Sequence, residues 1–273
     1  MTTVAVNGEV QRLGELRLED FLHSFFFGAG FFETFLVSEG APLFLERHLV
    51  RLRASLAAHA ECVQAPPSEV LTLRSVQEAL RRCLDSGNEL GARFTGVGKL
   101  VAGDGRLLLS FRSLSPHHEH HLREGTAIEH LESRCYRRGD PTLNHKSVSY
   151  LRQYANLGKA TLFSNEAHEL CEAPNGNLFF LLDGTWVTPP VNAPCLPGIL
   201  RAVLLEEGQL EGLPFVEGPV RREQVADVRA CLLTNSVGLA LAVPRLLGRE
   251  LPDSQAWAER ARARVWERAR LEG

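Results

Sequence analysis

Apolar residues recur at Leu45, Leu49, Leu52 and Leu56 while Arg47, Arg51 and Arg53 fall off that stripe, a spacing that predicts an amphipathic helix over 45–59. Ahead of it, short alternating runs predict a hairpin over 3–14 turning at Asn7-Gly8. A second strand pair is predicted over 31–45, turning around Ser38-Glu39-Gly40. Pro66-Pro67 opens another helix, with Ser68 as its N-cap and Gly87 at its end. Strands over 92–101 and 106–114 follow, joined by Gly103-Asp104-Gly105, which supplies the positive-φ positions of a tight turn. The first half therefore reads as α+β rather than as a run of βαβ units.

Residues 116–125 are polar and begin with Pro116, which predicts a connector between a domain over 1–115 and another over 126–273. The second half predicts a strand over 126–132, an amphipathic helix after Lys146, and strands over 177–182 and 185–188 turning at Asp183-Gly184. A helix over 199–207 stops at Gly208, a residue suited to a helix C-terminus. A strand over 230–234 and a terminal helix over 253–271 complete the pattern. No internal repeat or low-complexity tail interrupts it.

Composition narrows the classes. With 273 residues, 44% hydrophobic and 23% charged, the chain forms one large or two medium domains, and its formal charge of −3 gives no general reason to bind nucleic acid or an anionic membrane. Small molecules and other protein chains are the expected partners. The first residues lack a basic segment followed by an apolar run, and no stretch approaches the roughly 18 apolar residues of a spanning helix, so a soluble cytoplasmic protein is expected. The six cysteines, Cys62, Cys83, Cys135, Cys171, Cys195 and Cys231, are dispersed without a C-x-x-C pair and read as small, mostly buried residues. His117, His118, His120 and His121 flank Glu119, but nothing there specifies a closed metal geometry, and no metal is expected.

Five segments carry candidate chemistry. Lys146 stands in Asn144-His145-Lys146-Ser147-Val148-Ser149-Tyr150-Leu151, between a turn and a helix, where partial enclosure would lower the pKa of its amine and make it a nucleophile. Leu196-Pro197-Gly198-Ile199-Leu200-Arg201 opens a helix, whose unpaired N–H groups and dipole favour a phosphate. The others are Glu172 with Asn177 five residues on, His48-Leu49-Val50-Arg51-Leu52, and Thr234-Asn235-Ser236-Val237 at a strand end. Phe27-Gly28-Ala29-Gly30-Phe31-Phe32-Glu33-Thr34 adds glycines that allow a tight turn before a strand.

In their order along the chain these segments resemble the class IV family of pyridoxal-phosphate (PLP) enzymes, which includes branched-chain and D-amino-acid aminotransferases and aminodeoxychorismate lyase. The resemblance spans nearly the whole chain and implies the fold-type IV architecture: a smaller N-terminal α/β domain and a larger C-terminal pseudo-barrel domain with PLP between them, usually as a homodimer. It implies that Lys146 carries the cofactor and moves protons, and that Glu172 keeps the pyridine nitrogen protonated. Arg51, the backbone N–H groups of Ile199 and Leu200, the Ser236 hydroxyl and the Val237 N–H are implied as its phosphate ligands. The lyase branch is the nearest resemblance, which implies conversion of 4-amino-4-deoxychorismate to 4-aminobenzoate and pyruvate in folate synthesis. The alternatives are an aminotransferase acting on branched-chain or D-amino acids with a 2-oxo acid acceptor, and an inactive PLP-fold binding protein. Ser149 stands where the family usually has asparagine, Leu200 where it has threonine, Ala29 where it has aspartate, and Leu22-His23 where an Asp-Arg pair is common. The stretch between the lysine helix and Glu172 is also short, and charge contacts are expected to be missing around the glycine turn.

Overall fold

The computed structural model describes residues 3–86, 91, 93–132 and 136–272. Gly87, expected to end a helix, residue 92, expected to open a strand, and Cys135 lie outside the described residues. The chain divides into two compact units. One runs to Ser115 and takes in Lys146–Tyr150, and the other comprises Pro116–His145 and Leu151–Glu272.

In the first unit, β1 (Thr3–Val6) and β2 (Glu9–Arg12) form the expected hairpin, with positive φ at Asn7 and Gly8. Helix α1 (Leu22–Phe27) leads into β3 (Phe31–Ser38) and the short β4 (Ala41–Pro42), and α2 (Leu45–Ala58) follows. Helix α3 (Leu73–Asp85), β5 (Gly96–Gly103) and β6 (Arg106–Arg112) complete an antiparallel sheet in the order β2-β1-β6-β5-β3-β4. The leucine stripe of α2 is buried with Phe35, Leu100 and, from α3, Val76, Ala79, Leu80 and Cys83. The cap of α3 differs from expectation. Ser68 opens a separate 3-10 turn, and Thr72, held in extended conformation, caps the helix by accepting the Ser75 N–H at 3.1 Å.

The second unit begins with α4 (His118–Glu124), so the expected connector is partly helical, and Leu122 packs against that unit's core. The strand expected over 126–132 shrinks to β7 (His130–Leu131) with an isolated bridge at Ile128. Helix α5 (Leu151–Asn156) is short and mostly solvated. Leu151 and Tyr154 are exposed and only Asn156 is buried, so the expected apolar face is not formed. Strand β8 (Thr161–Leu162) pairs in parallel with β7. Then come β9 (Asn177–Leu182), β10 (Thr185–Thr188), α6 (Ile199–Glu207), β11 (Gln209–Leu210), β12 (Leu213–Glu217), β13 (Ala230–Asn235) and β14 (Leu239–Ala242). A two-residue pair, β15 (Arg245–Leu246) and β16 (Arg249–Glu250), precedes the terminal α7 (Ser254–Glu272). The main sheet has the order β11-β12-β10-β9-β13-β14, with β10 and β12 parallel and the remaining pairs antiparallel. Every residue of β9 is buried, as its unbroken apolar run after Asn177 requires of a strand covered on both faces. Leu178, Phe180 and Leu182 pack with Cys231, Leu233, Leu241 and Val243 in that unit's core.

Candidate active site

Glu172 is 6% exposed and sits at the end of a loop paired back on Phe163. Its Oε2 accepts the backbone N–H of Leu196 at 2.9 Å, and the Tyr136 hydroxyl stands 3.4 Å from Oε1. The turn Ala173–Gly176 closes on itself and delivers Asn177 to the start of β9. From there the Asn177 amide donates to the Leu196 carbonyl at 2.8 Å. The five-residue spacing thus places a carboxylate on the N–H side of one residue and an amide on its C=O side. Leu196 is clamped through both its N–H and its C=O.

That clamp sets the start of α6. Gly198 is the N-cap, and a Cβ there would lie 2.0 Å from Asn177 Oδ1, so only a glycine backbone fits so close to the asparagine. The helix ladder begins with the Ala202 N–H bonded to the Gly198 carbonyl, so the N–H groups of Ile199, Leu200 and Arg201 have no acceptor within the helix. This is the geometry that attracts an anion. The Leu200 side chain is buried in the core, which explains how the turn survives without a hydroxyl there. Arg201 points elsewhere, donating to the Pro189 carbonyl at 2.9 Å and pairing with Glu217.

At the end of β13, Asn235 Oδ1 accepts the N–H groups of Val237 at 3.0 Å and Gly238 at 2.7 Å. The Val237 N–H, expected to face a phosphate, is therefore engaged by the asparagine that precedes it, a local bond typical of Asn in turns. Ser236 is half-buried. Nearby Cys195 is inert, because burial and then the charge of Glu172 push its thiol up to about 12.

In the first unit, Lys146–Tyr150 runs beside the start of β3. The Phe32 N–H donates to the Lys146 carbonyl at 2.8 Å, the Val148 N–H to Gly30 at 3.0 Å, and the Ser149 hydroxyl to Gly28 at 3.1 Å. Lys146 Nζ lies 4.6 Å from the centre of the Phe32 ring and 4.9 Å from that of Tyr150. The glycine turn makes this docking possible: Gly28 has φ +66°, and a Cβ on it would fall 2.1 Å from Ser149 Oγ.

The charge missing at Ala29 and Leu22-His23 comes from another part of the chain. Asp104, in the turn between β5 and β6, accepts the N–H groups of His23 and Ser24, each at 2.9 Å, and the Ser24 hydroxyl at 2.7 Å. Burial raises its pKa, but these bonds outweigh burial and lower it to about 2. The expectation of absent charge contacts is thereby corrected, because an aspartate about 80 residues away bonds the start of α1.

Arg51 projects from α2 onto Glu33 of β3. Its Nε donates to Oε1 at 2.8 Å and its Nη2 to Oε2 at 2.6 Å, and His48 Nδ1 meets the same Oε2 at 2.6 Å. Burial raises the pKa of Glu33, yet Arg51 and His48 together lower it to about 2. His48, fully buried, has its pKa lowered by desolvation and is neutral, so its Nδ1–H donates to the carboxylate. Glu33 and His48 lie in segments marked by the sequence but were given no role there, and Tyr136 was not singled out; the signal for Glu33 was an acid inside the apolar strand F-F-E-T-F-L-V.

The expected site residues thus assemble as two sets, Lys146 and Arg51 in the first unit and Glu172, Ile199, Leu200, Ser236 and Val237 in the second. His117 to His121 lie in and beside α4, and among the described residues no group of three or more His, Cys, Asp or Glu side chains is placed to hold a metal.

The sequence profile described as amino-transferase class IV matches residues 30–246. The chain is 24% identical over 270 residues to a protein assigned as a branched-chain-amino-acid aminotransferase in Methanocaldococcus jannaschii, covering 92% of this chain and 90% of the other. It is likewise 24% identical over 249 residues to the aminodeoxychorismate lyase of Bacillus subtilis, covering 86% and 83%. Among solved structures it is similar to a hypothetical aminotransferase from Mycobacterium tuberculosis in its PLP-bound form, with a TM-score of 0.80 at 22% identity over 98% of this chain and 100% of that one.

Proposed function

Because this chain belongs to the class IV aminotransferase family and is a PLP-dependent enzyme of fold type IV, we propose that it is an aminodeoxychorismate lyase, converting 4-amino-4-deoxychorismate to 4-aminobenzoate and pyruvate. The residues present fit the cofactor. Lys146 offers an amine beside two aromatic faces, Glu172 a buried carboxylate, and α6 a helix start where a Cβ at Gly198 would collide with Asn177. Lys146 would hold PLP covalently and Glu172 would pair with its ring nitrogen. Arg51, the N–H groups of Ile199 and Leu200, and the Ser236 hydroxyl would hold its phosphate.

When bound, PLP draws electrons from the substrate carbon that bears the amine. Once the substrate amine displaces it from the cofactor, the freed Lys146 amine would take the proton from that carbon, the ring C–O bond to the enolpyruvyl group would break, and the ring would become aromatic as 4-aminobenzoate. The expelled enol gains a proton at its terminal carbon and becomes pyruvate. Glu172, held in place by the Leu196 N–H, would keep the opposite end of the cofactor protonated.

The clamp of Glu172 and Asn177 on Leu196 is the observation that carries the PLP reading. The lyase choice is supported by the Bacillus subtilis relative and by Phe27, which lacks the hydroxyl common at this position in the aminotransferase branches. The Methanocaldococcus jannaschii relative supports the second reading, an aminotransferase for branched-chain or D-amino acids, which uses the same residues. Purified protein offered aminodeoxychorismate should release 4-aminobenzoate, and a panel of L- and D-amino acids with 2-oxoglutarate should give little transfer. Rapid, stereospecific transfer without 4-aminobenzoate would reverse the two readings.

The proposal extends to assembly and place. On α1, Phe25, Phe26 and Phe27 are 66%, 63% and 75% exposed, a cluster of aromatic side chains suited to a second copy of the chain. Light scattering should give a dimer that Phe25→Asp with Phe26→Asp dissociates. Among the described residues no helix is long and apolar enough to cross a membrane. A cytoplasmic role in folate synthesis predicts that deletion creates a requirement for 4-aminobenzoate.

A further inference from the structure

We infer that Glu33 is a positioning residue that fixes the guanidinium of Arg51 in the orientation in which it meets the cofactor phosphate, with His48 holding Glu33 in turn. This rests on the assignment of Arg51 to the phosphate made above. His48 and Arg51 are three residues apart on α2 and so share a face, and Glu33 reaches that face from β3. The two bonds from Arg51 Nε and Nη2 to the two oxygens of Glu33 form a fork, which sets the plane of the guanidinium as well as its position. His48 Nδ1 fixes the carboxylate from a third direction at 2.6 Å.

Burial separates this cluster from an ordinary surface ion pair. Glu33 is 1% exposed and His48 is sealed from solvent, so neither partner has water to exchange for. A buried, ionised carboxylate beside Arg51 works against an incoming phosphate by charge. Its contribution to binding is therefore geometric: the flexible arginine is ordered before the cofactor arrives, and that ordering does not have to occur on binding. The side chain of Arg51 retains 11% exposure, against 1% for Glu33.

The test compares binding of PLP and of pyridoxal, which lacks the phosphate, to the full chain freed of cofactor, followed by absorbance and tryptophan fluorescence. Arg51→Ala should weaken PLP about a hundredfold and leave pyridoxal within about twofold. Glu33→Gln should weaken PLP about tenfold with pyridoxal again little changed, and adding it to Arg51→Ala should weaken PLP no further. Tighter PLP binding in Glu33→Gln, or PLP and pyridoxal changing in parallel, would overturn the inference and leave Glu33 a structural or purely electrostatic neighbour. If Arg51→Ala itself leaves the PLP-to-pyridoxal ratio at the wild-type value, the assignment of Arg51 to the phosphate falls, and this inference with it. Should Glu33→Gln not give folded protein by circular dichroism, Glu33→Asp, which keeps the charge but shortens the arm, and His48→Asn decide by the same ratio.

Discussion

Glu33 in the first unit and Glu172 in the second are both almost fully buried, and the chain satisfies them by different means. Glu33 is met by side chains: the fork of Arg51 and the imidazole of His48. Glu172 receives the main-chain N–H of Leu196 and lies beside the Tyr136 hydroxyl. A carboxylate held by charged side chains is a matter of charge balance and answers to protonation. One held by a backbone turn is a matter of shape and answers to steric change at that turn. The same residue type is thus coupled to the position of an arginine in one unit and to the path of a helix start in the other.

The largest effect should come from Lys146, which neither glutamate replaces. Lys146→Ala should lower turnover by about a thousandfold or more, and borohydride reduction of the loaded wild-type protein followed by peptide mass spectrometry should find the cofactor on that residue. Label on another lysine would remove it from the reaction. Next in size, Glu172→Gln should cost roughly a hundredfold in kcat while the cofactor stays bound, because the phosphate ligands are untouched. Arg51→Ala should do the reverse, losing cofactor first, and equal retention in the two variants would dissolve the distinction between them.

Shape is tested at Gly198. A Cβ there collides with Asn177 Oδ1, so Gly198→Ala should lower stability by about 1–3 kcal/mol and weaken cofactor retention, read from thermal melts with and without PLP. An unchanged melting temperature would mean the clamp on Leu196 yields freely.

Charge is tested by pH. The pKa of Glu33 is depressed to about 2, so its stabilisation is present above the ordinary carboxylate value near 4.5 and is lost as pH falls from there toward 2. His48, buried and neutral, also has a lowered pKa. The unfolded chain then binds the extra proton, and stability falls as pH drops below the ordinary histidine value near 6.5. Urea midpoints measured from pH 8 to pH 3 should decline in these two windows, with Glu33→Gln flattening the lower one. The smallest effect concerns the thiols: Cys62 is exposed and should take up a thiol reagent in the native protein well before Cys195, which burial keeps protonated. Equal rates would mean the turn around Cys195 opens readily.

Much of the candidate site was legible because its chemistry is local. Helix α6 and its glycine start follow from a Pro-Gly step before an apolar run, and the loop to β9 sets how Glu172 and Asn177 are spaced. Other features depended on distant neighbours. Charge contacts were expected to be missing around the glycine turn, yet Asp104, whose own context is a hairpin turn, bonds His23 and Ser24 just ahead of it. Ser68 was expected as the cap, but it opens a 3-10 turn whose path moves the helix start on to Thr72. The Val237 N–H is taken by Asn235, because an asparagine side chain at a strand end competes for the next free backbone donors.

By itself the sequence determined the order of the elements and the residues that bring an amine, a carboxylate and an open helix start to the fold, since periodicity, turn residues and backbone donors act within a few positions. The tertiary structure alone decided which charges meet. Glu33 finds Arg51 18 residues away, and Asp104 reaches His23 across 81, because a buried polar group must be satisfied by whatever the sheet and helices bring beside it.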